Sequence, residues 1–389
     1  MTPQSVYPRM DPLSLWQQFG PDSWLRAGLS LAIVAVLIPL TLPLANRWGL
    51  VDKPGGRKDH ECPIAVTGGA VILLAVVTGF FLFEPDWSMR VATFIAGAVM
   101  LVLVGQLDDK YDLRWTWRIG AQALAALLLA VVAGVKAENL QDVFGFGGAN
   151  IGLLAIPFTI FVVVGIINAL NMADGVDGLA GSVALVSLLL FTCFALYAGD
   201  MDLATRLFSL SAAVVGFLLW NARWPWQPRA RVFLGNGGSM LLGFIIGWAS
   251  LRLTQNPAHP VSPVLGPWTL ALPLIDCVVL MLRRWRQGVS PFKADRNHMH
   301  HLLLDAGYRP SWVVAIIAGS SLALGIAAAV AVRMDVYRPI LVISFFALLM
   351  AWYVFSRNRA TAVARLRRLR GGDAQSPDPL PATGPDRDD

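Results

Sequence analysis

Hydrophobic and polar positions run along this chain in long blocks. Eleven apolar stretches lie near the ~17–25 residues that span a bilayer as a helix. They cover roughly 26–46, 67–84, 90–106, 119–136, 151–169, 179–198, 204–221, 239–254, 265–282, 311–332 and 339–356. The gaps at 85–89 and 199–203 are so short that they make hairpins of adjacent spans. The pattern predicts an all-α polytopic membrane protein of about eleven transmembrane helices. Three regions are expected: an outer N-terminal segment at 1–25, a membrane domain at 26–356 and a tail at 357–389. Met1–Trp24 holds Asp11 and Asp22 and no basic cluster before an apolar core, so no cleavable leader is expected. No internal repeat stands out.

Composition agrees with the pattern. The chain is 56% hydrophobic and only 14% charged, with a mean hydropathy of +0.59, where a soluble domain carries roughly 25% charged residues. The net charge of +6 is explained by where the basic residues sit, and no nucleic-acid partner is expected. The loops after spans 1, 3, 5, 7 and 9, with the tail, hold 23 of the 31 Lys and Arg. By the positive-inside rule these segments face the cytoplasm, which puts the N-terminus in the periplasm and the C-terminus inside. In the tail, Arg357, Arg359, Arg365, Arg367, Arg368 and Arg370 form a basic run suited to anionic headgroups. Beyond Gly371 the composition reads as disordered. Cys62, Cys193 and Cys277 show no C-x-x-C spacing, so neither a disulfide framework nor a zinc site is implied.

Chemistry concentrates between the spans on the predicted cytoplasmic side. In residues 168–180, Asn168, Asn171, Asp174 and Asp177 recur every third position. That spacing lines one side of an α-helix or a 3₁₀ turn with oxygens. Carboxylates at the edge of lipid-compatible helices are costly and read as functional. The bland alternative is a pair of capping aspartates at a helix junction. Gly175 and Gly178 leave room for a ligand at the backbone.

Four other motifs share that side. The first loop, with Arg57, Lys58 and His60 before Pro63 and Thr67-Gly68-Gly69, suits phosphate binding or a positive-inside anchor. The second, Asp108-Asp109-Lys110-Tyr111-Asp112, holds adjacent carboxylates that repel unless a cation or proton intervenes, which suits Mg²⁺; a solvated loop is the alternative. The fourth, Gly235-Asn236-Gly237-Gly238-Ser239, feeds a helix N-terminus and is either an anion site or a plain tight turn. The fifth runs from Asp295-Arg296 through His298, His300 and His301. There His298 and His301 are expected on one helix face, with His300 pointing elsewhere. Zinc lacks a fourth ligand there; phosphate donors or an acid/base fit the surrounding arginines better.

Together these motifs, in this order over about residues 50–310, resemble the polyprenyl-phosphate N-acetylhexosamine-1-phosphate transferases. Thr254-Gln255, His259-Pro260 and Ser290-Pro291-Phe292 look like the WecA-like branch, which is related to MraY. The resemblance implies an enzyme of the bacterial inner membrane with a cytoplasmic active site. It would move a sugar 1-phosphate from UDP-GlcNAc or a related UDP-sugar to undecaprenyl phosphate, with Mg²⁺ or Mn²⁺, and release UMP. The product would be the lipid-linked first sugar of an O-antigen, common antigen or exopolysaccharide. The resemblance also makes a homodimer an expectation. It places Asp108 and Asp109 at the metal and nucleophile, and Asp174 and Asp177 with Asn168 and Asn171 at the metal and nucleotide sugar. Arg57, Lys58 and His60 match the first basic loop; Arg296, His298, His300 and His301 match the phosphate- or sugar-contacting motif. One position departs: the family has Asp, a metal ligand in the MraY branch, where this chain has Asn236. A weakened or non-catalytic homologue is therefore the second reading. A transporter would carry its acids at mid-membrane within broken helices, not at loop edges on one side.

Overall fold

The computed structural model describes residues 16–52, 63–84, 88–145, 147–290 and 296–371. Most of them are helical. In chain order the helices are α1 (Pro21–Trp48), α2 (Gly68–Phe83), α3 (Met89–Tyr111), α4 (Trp115–Val131), α5 (Ala155–Ala173), α6 (Leu179–Tyr197), α7 (Met201–Asn221) and α8 (Gly235–Thr254). They continue with α9 (Leu265–Thr269), α10 (Ala271–Arg286), α11 (Met299–Asp305), α12 (Pro310–Arg333), α13 (Arg338–Phe355) and α14 (Arg359–Leu369). Strands β1 (Val51–Asp52) and β2 (Ile64–Ala65) pair antiparallel across the first loop. That loop, with Arg57, Lys58 and His60, lies outside the described residues, as does the tail beyond Gly371.

Each of the eleven apolar stretches falls on helix. Among the described residues, seven helical segments are long and apolar enough to cross a membrane: α1, α3, Gly152–Ala173, α6, α7, α12 and α13. Helices α2 and α4 are apolar but shorter. The ninth stretch is divided at Leu270 between α9 and α10. Pro273 explains the break, because its ring displaces the carbonyl four residues back. That carbonyl, Thr269 O, instead accepts from Ser187 Oγ at 2.8 Å. Pro39 acts alike inside α1: the freed Ala35 O accepts from Trp220 Nε1 at 2.9 Å.

Helix α8 is the hub. It is buried along almost its whole length and packs against α2, α3, α5 and α6. Lipid tails are as apolar as leucine, so close backbone approach, not water exclusion, must hold such helices together. The glycine pairs of the motifs serve this purpose. A Cβ on Gly105 of α3 would collide with the backbone of Gly237, and one on Gly69 of α2 with that of Gly238. Gly105→Ala is expected to push α3 off α8 at a cost of about 1–3 kcal/mol. Thermal unfolding in detergent should register it, and an unshifted transition would show that the contact is slack.

The loop before α8 is stitched to α2. Phe233 N donates to Ala65 O at 2.8 Å, and Gly68 N and Gly69 N donate to Phe233 O and Leu234 O. Three motif-bearing segments thus meet at one end of the bundle.

Candidate active site

Helix α3 ends in the acidic motif, which brings Asp108 and Asp109 to the N-terminus of α8. Both Asp109 carboxylate oxygens accept from Asn236 N, at 3.0 and 3.1 Å. The anion site expected at this helix start is therefore filled by the chain's own carboxylate, where the helix dipole favours negative charge. Asp108 is 5% exposed. Its Oδ2 accepts from Arg118 Nη1 of α4 at 3.1 Å and from Asn236 Nδ2 at 2.7 Å.

Asn236 joins the motifs. With its amide nitrogen committed to Asp108, its Oδ1 accepts from Asn171 Nδ2 at 2.9 Å. Asn171 Nδ2 also donates to Ser239 Oγ at 2.8 Å. One turn earlier on α5, Asn168 Nδ2 donates to Gln122 Oε1 of α4 at 2.7 Å. A small pocket between α4, α5 and α8, lined by Trp115, Arg118, Gln122, Asn168, Asn171 and Met240, opens beside the Arg118–Asp108 pair.

The period-three row runs off the end of its helix. Helix α5 stops at Ala173, so Asn168 and Asn171 sit on helix while Asp174 and Asp177 sit in the turn before α6. Asn221 fixes that turn by accepting from Gly178 N at 2.9 Å. Asp177 is already held: its Oδ2 accepts from Arg223 Nε at 2.7 Å and from Ala230 N at 3.2 Å. Asp174 differs. No described residue donates to its side chain, and Asp109 and Asp177 lie close. Its carboxyl is pushed up to about 7, first by desolvation and then by those two charges.

The histidine segment closes the site from the other side. Helix α11 starts only at Met299, so His298 precedes it in extended backbone. The expected face shared by His298 and His301 is therefore not formed. His298 instead stacks on His300 with ring centroids 5.3 Å apart, and His300 lies 4.3 Å from His301. The cause is Asp276 of α10. Its Oδ1 accepts from Met299 N at 3.0 Å, capping α11 from another helix, while Oδ2 lies 3.0 Å from His298 Nδ1. Trp352 Nε1 also donates to Oδ1, at 3.1 Å. His300 presses on the aspartate turn so closely that a Cβ on Gly175 would collide with its Nε2. Burial, with its two histidine neighbours, takes His300 well below the usual histidine range. His301 is lowered for the same first reason and then by Arg296. Both rings are therefore neutral at pH 7. His301 Nδ1 is buried without a hydrogen-bond partner among the described residues, a cost that the fold carries beside the aspartate turn.

Residues 91–254 match glycosyl transferase family 4. An undecaprenyl-phosphate alpha-N-acetylglucosaminyl 1-phosphate transferase of Haemophilus influenzae is 35% identical over 332 residues, covering 84% of this chain and 92% of its own. Proteins of the same description from Yersinia pestis and Escherichia coli K12 are 35% and 34% identical, covering 84% and 85% of this chain and 90% and 91% of theirs. The chain belongs to glycosyl transferase family 4. It is accordingly a transferase, and the aspartate, asparagine and α8 elements all fall within the matched segment. Asp276 and the histidines lie beyond it, in the part that the full-length relatives still cover.

Sequence reasoning left out several residues that the fold brings to this family 4 site. Arg118 lies one residue outside the fourth apolar stretch and counted there only as a membrane anchor. Arg223 did so in the loop after the seventh. Asp276 carried a readable signal: it is the single acid of its apolar stretch, and an ionisable group at such a position marks function by default.

Proposed function

We propose that this protein transfers N-acetylglucosamine 1-phosphate from UDP-GlcNAc to undecaprenyl phosphate and releases UMP. We place the reaction at the cytoplasmic face of a bacterial inner membrane, where it makes the first lipid-linked sugar of an envelope polysaccharide. The names of the relatives support the substrates. The observation that carries the reading is the convergence at one bundle end of Asp108, Asp109, Asp174, Asn171, Asn236 and the three histidines.

An acceptor phosphate oxygen attacks the sugar-bearing phosphorus of the donor, a new P–O–P bond forms, and the bond to UMP breaks with its electron pair. Both reactants are anions, so positioning and charge neutralisation dominate. Asp108, fixed by Arg118 and Asn236, orients the acceptor phosphate. Arg118 at the rim of its pocket, with the first basic loop, draws in the phosphates. His301 donates to a phosphate or sugar oxygen while His300 holds the aspartate turn in register. Asp177, paired with Arg223, keeps Asp174 in place.

The donor set fits a hard divalent cation: oxygens only, with Asp174, unpartnered among the described residues, beside Asp109. No ready-made cluster of three His, Cys, Asp or Glu ligands exists among the described residues, which leaves coordination to be completed by substrate phosphates and water. Mg²⁺ or Mn²⁺ held by Asp109 and Asp174, with Asp108 and Asn236 adjacent, would supply neutralisation of the diphosphate.

Radiolabelled UDP-GlcNAc, undecaprenyl phosphate and Mg²⁺ with the purified protein test the reading; no lipid-linked label and no UMP would end it. Asn236 favours the second reading, a weakened homologue, because its amide crosslinks Asp108 where the family places a carboxylate. Asn236→Asp removes that donor and adds a charge. Cation affinity is then expected to rise about tenfold, read by titrating Mg²⁺ against heat or rate. A gain in turnover of two orders or more would favour the weakened homologue; unchanged turnover and cation demand would show that Asn236 handicaps nothing.

A further inference from the structure

The sequence pattern left α14 as a basic stretch after the last span, and the fold gives it a specific place. Only Ser356–Asn358 separate it from α13. Trp352, Tyr353 and Phe355 at the end of α13 mark the level of a membrane interface. Arg365 stands over the Phe355 ring, 5.9 Å from its centre. Asn358 caps the helix by accepting from Thr361 N at 3.1 Å.

One face of α14 grips the histidine segment. Arg359 pairs with Asp305, the last residue of α11, and Arg367 Nη2 donates to Asp305 O at 3.2 Å. Arg370 donates to Gly307 O, and Tyr308 OH donates to Leu366 O at 3.4 Å. Ala362 is fully buried in this contact, and Leu366 packs against the core. The other face carries Arg365 and Arg368 with Leu369, all exposed. No acidic residue occurs between Ser356 and Gly371. Helix α11 is only seven residues long, so its two histidines depend on what clamps its ends: Asp276 at the start and α14 at the finish.

We propose that α14 is a membrane-docked brace: its exposed Arg365–Arg368 face binds anionic phospholipid headgroups, and its inner face thereby holds the histidine helix α11 in the site. Headgroup charge at the bilayer surface thus sets how well His300 and His301 are positioned. The link to catalysis rests on the transferase reading; the docking and the brace do not.

The full chain in nanodiscs of phosphatidylcholine, with and without phosphatidylglycerol, tests this by hydrogen exchange. Phosphatidylglycerol is expected to raise protection of 359–369 and of 299–305 together. Arg365→Gln/Arg368→Gln should weaken docking about 30-fold, abolishing the rise and leaving protection in phosphatidylcholine unchanged. Asp305→Asn removes the Arg359 ion pair and should weaken the coupling: α14 responds as before and the response of 299–305 falls. Equal protection in both lipids, or a response surviving in the double variant, overturns the docking. An undiminished response of 299–305 in Asp305→Asn overturns the brace. In the activity arm, phosphatidylglycerol raises the transfer rate of the wild type and not of the double variant. A protein without transfer in any lipid refutes the transferase reading and leaves the exchange result standing.

Discussion

Asp174→Ala is expected to lower transfer at least about 1,000-fold while the protein still inserts and, without divalent cation, unfolds at a higher temperature than the wild type. The two effects share one cause. Asp174 receives no hydrogen bond from any described residue and faces Asp109 and Asp177, so its charge costs the folded protein free energy. Its carboxyl stands at about 7 in the fold and about 3.9 in an unfolded chain. Between these values the folded state binds the extra proton, so stability is lost as pH rises from about 4 to about 7. For a half-buried carboxylate the ionised form costs on the order of 2–4 kcal/mol. A cation relieves that cost. Mg²⁺ binding should therefore release protons near pH 6.5 and almost none at pH 8.5. Calorimetry in two buffers of different ionisation heat measures this directly. The alanine variant should release fewer protons than the wild type and lose the thermal shift that Mg²⁺ confers. Wild-type turnover in Asp174→Ala, or cation binding without proton release at pH 6.5, would remove Asp174 from the cation site.

Asp276→Asn should lower kcat about 100-fold with little change in KM. Asp276 does not touch the reacting groups in the proposed mechanism; it positions those that do. Its carboxylate accepts from Met299 N and Trp352 Nε1 and holds His298 Nδ1, so His298 keeps its proton on Nδ1 and its ring is fixed against His300. An asparagine in the same place can still accept from Met299 N and Trp352. Toward His298 it offers an N–H, which moves the ring proton to Nε2. The backbone cap survives and the tautomer does not. Asp276→Glu is the conservative control and should recover part of the rate. A merely structural Asp276 would give the opposite pattern: Asn and Glu variants equally destabilised, with kcat per folded molecule unchanged. The histidine Nδ1 and Nε2 resonances of His298 report the tautomer independently of turnover.

Much of the fold was legible because membrane helices announce themselves by length and apolarity. All eleven apolar stretches fall on helix, and among the described residues the acidic, asparagine–aspartate, α8 and histidine segments lie at one bundle end. The misplaced detail was local. Periodicity put His298 and His301 on one face, but periodicity assumes a helix that has already begun. Asp276, 22 residues earlier in sequence, decides that it begins after His298. Gly175, expected to leave room for a ligand, leaves it to His300, while Gly69, Gly105, Gly237 and Gly238 make room for another backbone.

The sequence alone determined the class of the protein, its helical spans and the residue types that carry its chemistry, since those follow from hydropathy and from the cost of charge beside lipid. Which carboxylate is left without a partner was decided only by tertiary structure. Four aspartates look alike along the chain; packing gives Arg118 and Asn236 to Asp108, the α8 N-terminus to Asp109 and Arg223 to Asp177, and among the described residues gives Asp174 nothing. Hydrogen-bond donors arriving from distant helices have no signature near the acid they satisfy, so that difference is invisible until the helices meet.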